Sequence, residues 1–147
     1  SALVVRLSLR AGLFRHVPTL IHEVGPLGLR YLRIDERGAA GFLSQTQRTD
    51  SGEVLARLGA LARRLAGDLA ALECREDVAL VSCIGSGLED NPELVHRACE
   101  RLHTAEVAVR ELHSDTHSLA FVVPTAHRVR AVQILHAAFV ARASAAA

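Results

Sequence analysis

Three alternating polar residues are the first feature of this sequence whose types and spacing could do chemistry. His113, Asp115 and His117 occur along one short stretch, and a carboxylate between two imidazoles can form an acid–base pair. No activated nucleophile, glycine-rich phosphate loop or HExxH motif accompanies them. An enzyme that uses these histidines therefore stays an open alternative, and a solvated surface is the favoured interpretation.

A second polar group has the spacing of a metal site on a helix. His96, Glu100 and His103 are related as i, i+4 and i+7, which places them on one helix face. Two histidines and a carboxylate can bind a divalent metal. A solvated helix face has the same spacing, so the sequence predicts no cofactor and keeps these three residues as the candidate metal ligands.

The elements that must position these residues occur twice. The second half predicts, in order, a strand over 78–84, a glycine-bearing turn, a helix from Pro92, strands over 105–112 and 118–123, and a helix over 126–141. The first half predicts a strand over 3–9, a helix from about Pro18 that ends at Gly25-Pro26, strands over 28–34 and 39–45, a helix over 53–66, and a closing strand over 70–74. This repeat predicts an α+β fold of two tandem ferredoxin-like βαββαβ domains, 1–75 and 76–147, each an antiparallel sheet with helices on one face.

Local signals refine three of these helices. Asp90 or Asn91 is a suitable N-cap, and Pro92 then takes the first helical position, where its missing N–H costs nothing. Apolar faces are predicted in the two long helices. In the first half this face is Val54, Leu55, Leu58, Leu61, Ala62 and Leu65, and in the second it is Val129, Val132, Leu135, Ala138 and Phe139.

Composition excludes several classes of function. The 147 residues are half hydrophobic, with a net charge of +1 and four Phe, one Tyr and no Trp, so neither a basic footprint nor a stacking platform for nucleic acid is present. No apolar run is long enough to predict a membrane span. The three cysteines lack metal-ligand spacing and suit a reducing cytoplasm. The chain does not start with Met, which permits a piece excised from a larger protein.

Five segments of the second half carry a family resemblance. They are Val81–Leu88 (VSCIGSGL), Asn91-Pro92, Leu112–Asp115 (LHSD), Phe121–Pro124 (FVVP) and Ala131–Phe139 (AVQILHAAF). Together they resemble the C-terminal ACT domain of aspartate kinases, whereas the first half matches only in its organisation. In that family two ACT domains follow the kinase domain, pair with those of another chain and bind feedback amino acids at their interfaces.

The resemblance implies an allosteric module that binds an amino-acid effector and acts through a homodimer, with a kinase catalytic domain or another enzyme as its partner. It also implies where the effector would bind. The matching positions are Gly87, Glu89, Asp90, Asn91, Pro92, His113, Ser114 and Asp115 in the second half, and Gly12, Leu13, Phe14, Arg15 and Asp35 in the first. A helix N-terminus can receive a carboxylate, and Asp90, Asp115 or Asp35 an ammonium. Alternatively, these residues are only helix caps and hairpin residues.

Departures from the family pattern leave two further alternatives. Where the family has Pro-Gly at a helix start, this sequence has Pro92-Glu93 and Phe14-Arg15, and a carboxylate at Glu93 competes with an anionic ligand. This predicts an altered effector, or a stand-alone assembly module that keeps dimerisation without binding, or recruitment as a small enzyme in a specialised biosynthetic pathway. The segment 141–147 is a poor strand, so the second sheet is predicted to keep an exposed edge or to borrow cover from another chain.

Overall fold

The computed structural model describes residues 2–9, 13–35, 38–44, 51–65, 67–85, 87–88 and 91–139. The elements, in order, are β1 (Ala2–Leu9), α1 (Leu13–Val24), β2 (Leu29–Asp35), β3 (Gly38–Ser44), α2 (Ser51–Arg64), β4 (Leu69–Ile84), α3 (Pro92–Thr104), β5 (Glu111–Ser114), β6 (Ser118–Pro124) and α4 (Arg128–Phe139). Single 3-10 turns at Gly25–Leu27 and Thr125–His127 follow α1 and precede α4. The described chain is thus a mixed α/β fold with antiparallel strand pairs and four α-helices, consistent with the predicted ferredoxin-like class.

The chain divides into two compact units, Ser1–Asp77 and Val78–Ala147. β4 passes from the first into the second, and here the prediction of two separate strands over 70–74 and 78–84 is wrong, because one strand of 16 residues runs from Leu69 to Ile84. The intervening residues 75–77 are charged and exposed. Since none of them is glycine or proline, their side chains reach solvent without interrupting the strand.

In the first unit the strand order is β2-β3-β1-β4. β1 and β3 pair antiparallel from Ala2 opposite Ser44 to Ser8 opposite Gly38. Both helices pack on one face of this sheet. The buried core residues are Val5, Leu20, Val24, Leu27, Ala39, Leu43, Val54, Leu58, Leu61 and Leu65.

Helix α1 begins earlier than predicted. It starts at Leu13, so that Pro18 is its sixth residue rather than one of its first. The Pro18 ring is exposed, and a proline at this interior position removes one helical hydrogen bond and crowds the carbonyl four residues earlier. Because Leu20 and Val24 anchor the helix in the core, packing outweighs this local loss.

In the second unit the strand order is β4-β6-β5. β4 and β6 pair antiparallel in one register from Val78 opposite Pro124 to Ile84 opposite Ser118. Helices α3 and α4 share one face, where the core consists of Ala79, Val81, Leu88, Ala98, Leu102, Val107, Leu119, Phe121, Val123, Ala131 and Leu135. Five successive residues of β6, 119–123, are buried, so this strand is covered on both faces.

The strand predicted over 105–112 is mostly absent, because the end of α3 occupies its first residues. The N–H of Glu106 donates to the carbonyl of His103, and that of Val107 to the carbonyl of Leu102, both at 2.9 Å. This pair of bonds is a Schellman motif, and Glu106 takes the left-handed conformation that it requires, with φ of 56°. The strand β5 is therefore only Glu111–Ser114.

Two predicted helix faces are wrong in part. On α4, Ala131, Leu135 and Ala138 face the core, whereas Val129 and Val132 are 60% and 48% exposed. The buried stripe of α4 therefore contains two alanines and a leucine, and the two valines lie on the outward side. Leu55 of α2 is likewise 45% exposed. Among the described helices, none has the length and apolar character needed to cross a membrane.

Candidate functional site

The second unit brings two predicted site segments to the same end of its sheet. β4 ends at Ile84, which lies opposite Ser118, the first residue of β6. The N–H of Gly85 then donates to the carbonyl of His117 at 3.0 Å. The loop that leads to α3 therefore begins beside the β5–β6 hairpin, which is the arrangement that the predicted effector site needs.

The residues at the start of α3 are engaged as a helix cap. The Asn91 side-chain oxygen accepts the N–H of Leu94 at 3.2 Å, and Pro92 occupies the first helical position, as predicted. Gly87 precedes them with φ of 75°, a conformation that favours glycine. Glu89 and Asp90 lie outside the described residues. Because Asn91 already satisfies one N–H of this terminus, fewer donors face a ligand there.

Asp115 stabilises the hairpin. Its Oδ1 accepts the backbone N–H groups of His117 and Ser118 at 2.9 and 2.8 Å, and its Oδ2 accepts the Ser118 hydroxyl at 2.7 Å. The Ser118 hydroxyl, followed by the His117 N–H, lowers the pKa of Asp115. Both carboxylate oxygens therefore take part in the turn, and Ser114 precedes them at the end of β5.

The two histidine groups do not acquire the geometry that their spacing suggests. His113 contacts Glu111 at 3.2 Å, and His117 approaches Asp115 through its backbone N–H rather than its imidazole. His96, Glu100 and His103 are exposed along α3. No three His, Cys, Asp or Glu residues within the described ranges form a group that could hold a metal ion. His96, Glu100, His103, Asp115 and His117 are exposed, and His113 is partly buried.

In the first unit the structure shows a contact that the sequence did not predict. Arg15, near the start of α1, donates to Asp68, and His16 contacts the same Asp68 oxygen at 2.9 Å. Hydrogen bonds from His16 and then Arg15 lower the pKa of Asp68. Asp35 instead forms an ion pair with Arg33 at 2.9 Å. Arg15 and Asp35, two predicted effector ligands, therefore have different ion-pair partners; Gly12 lies outside the described residues, and the side chains of Leu13 and Phe14 are not described.

A cavity of about 570 Å³ in the second unit was not predicted from the sequence. Six successive residues of β4 and its loop, 80–85, form one wall, and Leu88 and Leu94 lie where the loop meets α3. The other wall consists of Val132, Leu135, His136 and Phe139 of α4. Its volume is within the range of small-molecule sites, roughly 300–1,000 Å³. The partial burial of Cys83 in its wall raises the pKa of that thiol, which is therefore protonated at neutral pH.

Comparison with protein-family models finds a match for the second unit. Residues 81–139, which are fewer than half of the chain, match the family model described as an ACT domain. The second unit contains an ACT domain. The match begins in β4 and ends with α4, so it includes the loop, the hairpin and both walls of the cavity. No curated protein matches the chain.

Solved structures extend the similarity of fold across nearly the whole chain. Escherichia coli aspartokinase III with aspartate and ADP has a TM-score of 0.72 at 22% identity, over 94% of this chain and 31% of that one. The regulatory subunit of Thermus thermophilus aspartate kinase, in its ligand-free form, has 0.68 at 17%, over 94% and 92%. Clostridium acetobutylicum aspartate kinase has 0.76 at 13%, over 94% and 32%. The chain spans about a third of the full-length kinases and resembles their regulatory part in fold.

Proposed function

We propose that this chain is a regulatory module that binds an amino-acid effector and transmits its occupancy to an enzyme of the aspartate-kinase type. The observation that carries the proposal is the ACT match over 81–139 within a fold shared with aspartokinase regulatory domains. The proposal includes a second, more divergent ACT domain in the first unit, a homodimer, and a cytoplasmic location with a kinase catalytic domain as the partner.

The geometry of the second unit supports effector binding. The loop after β4 and the β5–β6 hairpin lie together, and a cavity adjoins that loop. A ligand at this end of the sheet would contact residues from β4, from α3 and from α4. It would thereby connect three elements of the unit. Because binding stabilises the arrangement that the ligand contacts, it can change the stability of the unit or its pairing with another chain.

A second candidate function is a partner-binding module without an effector. The observation that favours it is the engagement of the predicted polar ligands. Asn91 caps α3, and both oxygens of Asp115 are hydrogen-bonded within the hairpin. An incoming carboxylate and ammonium would have to replace these contacts or use other groups.

Thermal unfolding against the twenty amino acids separates the two candidates. A ligand at 100 times its Kd raises the free energy of unfolding by about 2.7 kcal/mol, which moves the Tm by several degrees in a domain of this size. Sedimentation of the same samples gives the oligomeric state. A shift with one class of amino acid supports the sensor. A dimer whose Tm is indifferent to all twenty supports the partner-binding module and contradicts the sensor.

A further inference from the structure

The cavity of the second unit lies between β4 and α4. Residues 80–85, at the end of β4 and in the loop that follows it, line one side, and Val132, Leu135, His136 and Phe139 of α4 line the other. β6 pairs with this part of β4 in an unbroken register over Val78–Ile84. The strand wall of the cavity is therefore held in place by its pairing with β6.

The cavity walls are apolar. Aliphatic side chains from β4 face Val132, Leu135 and Phe139 of α4. The polar members are Ser82, Cys83 and His136, and none of the described lining residues is Asp, Glu or Arg. A charged ligand side chain would lose its water here without gaining a countercharge, whereas an apolar side chain would gain from burial.

The position of the cavity indicates which end of a ligand it receives. One end of it reaches Gly85 and Leu88 in the loop and Leu94 in the first turn of α3. Ser82 and His136 are exposed, so polar groups of a ligand can meet them while remaining in contact with water. A molecule with an apolar body and a zwitterionic head fits a site with apolar walls and exposed polar residues beside them.

We infer that the effector is an amino acid with an uncharged branched or aromatic side chain, and that this side chain enters the cavity between β4 and α4. The inference rests on the proposed function. It assigns specificity to the walls of the cavity, and it leaves Asn91 and Asp115 in their cap and hairpin contacts.

Two neighbouring valines of α4 provide a matched pair of variants for the test. Val132 lines the cavity and Val129, one turn earlier, does not, although both are exposed at 48% and 60%. Calorimetric titration with leucine, isoleucine and phenylalanine should show binding that Val132→Asp weakens by at least about tenfold, the scale on which apolar pockets discriminate. Val129→Asp should retain the wild-type affinity. Lysine, aspartate and threonine should bind more weakly than the apolar amino acids.

Cys83 provides a second measurement that locates the ligand. In a Cys74→Ser, Cys99→Ser background it is the single thiol, and its reaction with a disulfide reagent should slow when the apolar amino acid binds. Stabilisation by an amino acid without protection of Cys83, or stronger binding of a charged amino acid, would overturn the inference and leave the sensor intact. A lack of response to every amino acid would contradict the sensor itself.

Discussion

The two units share one order of elements but differ at the ends of their helices. In the second, α3 begins with an Asn91 cap and Pro92 at its first position. In the first, α1 contains Pro18 at its sixth position, and Arg15 and His16 near its start contact Asp68. Both units bury a helix-covered core of similar composition. The two units are thus alike in the order of their elements and in their apolar cores. They differ in the polar residues at the starts of their helices.

This divergence bears on function because a ligand that binds at a helix start meets different groups in each unit. In the first unit it would meet the side chains of Arg15 and His16, which already contact the carboxylate of Asp68. In the second it would meet an amide cap and, beside it, an apolar cavity. The two units would therefore present different groups to a ligand at a helix start.

The largest expected effect comes from one core substitution in each unit, and it tests whether the two units unfold separately. Phe121 is fully buried in the second unit and Leu61 nearly so in the first. Phe121→Ala should lower the free energy of unfolding by about 3–5 kcal/mol and Leu61→Ala by about 2–5 kcal/mol, through lost burial and a residual cavity. Each change should act mainly on its own unit.

Tyr31 makes this test specific. It is the single tyrosine in a chain without tryptophan, and it lies in β2, so its fluorescence reports on the first unit while circular dichroism reports on both. In urea, Phe121→Ala should move the circular dichroism transition more than the Tyr31 transition, and Leu61→Ala should move both. If Phe121→Ala shifts the two signals equally, the units unfold together and the comparison of separate cores fails.

The next effect concerns the interior proline of α1. Pro18→Ala should stabilise the protein by about 1–3 kcal/mol, because alanine restores a helical hydrogen bond and the exposed ring contributes little packing. Pro92→Ala in α3 is the control, since the first helical position needs no N–H donor, and it should be close to neutral or slightly destabilising. Urea unfolding of both variants measures the difference. A destabilising Pro18→Ala would show that the ring makes a contact that the unit needs.

The sequence predicted the parts of this fold that depend on local signals. The alternation of apolar residues located the strands to within a few residues except at β4 and β5, and the Asn91-Pro92 pair located the start of α3. The face of α4 was assigned incorrectly, because periodicity alone cannot tell a stripe of valines from a neighbouring stripe that contains small alanines. Which stripe is buried depends on how closely the helix approaches the sheet.

The parts of the site that the sequence did not predict depend on distant residues. Asp68 lies 53 positions from Arg15, and nothing in either local segment signals their contact. The cavity lies between a strand and a helix that are about fifty residues apart in the chain. Its walls consist mainly of residue types that are common in any protein core. Asp115 was assigned both a ligand role and a hairpin role, and the structure shows its hairpin contacts.

A smaller effect compares the left-handed turns that follow the helical segments. The first unit uses Gly28, with φ of 83°, and the second uses Glu106, with φ of 56°. Because a side chain is strained in this region, Glu106→Gly should stabilise the protein by about 1 kcal/mol, and Gly28→Ala should destabilise it by about 1 kcal/mol. Thermal unfolding at equal protein concentration measures both. Changes in stability of opposite sign would show that the second unit tolerates strain at a turn where the first unit uses glycine. A neutral Glu106→Gly would indicate that contacts of the Glu106 side chain offset the strain of its backbone.

The smallest effect separates the carboxylates of the two units by their dependence on pH and salt. The lowered pKa of Asp68 means that the folded state binds a proton less readily than the unfolded state. Its stabilising contribution is therefore present above about pH 4, the ordinary value of an Asp, and is lost as the pH falls through the lowered folded value. The same sign holds for Asp115. Asp68→Asn and Asp115→Asn should each reduce stability at neutral pH and flatten its decline in acid.

Salt distinguishes the two carboxylates because their partners differ. Asp68 contacts an arginine and a histidine, whereas Asp115 accepts hydrogen bonds from a hydroxyl and backbone N–H groups. About 0.5 M NaCl screens exposed charges beyond a few ångströms and should shrink the effect of Asp68→Asn while leaving that of Asp115→Asn nearly unchanged. Tm measured from about pH 3 to about pH 7 at low and high salt gives the result. Equal salt dependence would mean that Asp68, like Asp115, acts through hydrogen-bond geometry alone, and that the helix starts of the two units differ less in electrostatics than in shape.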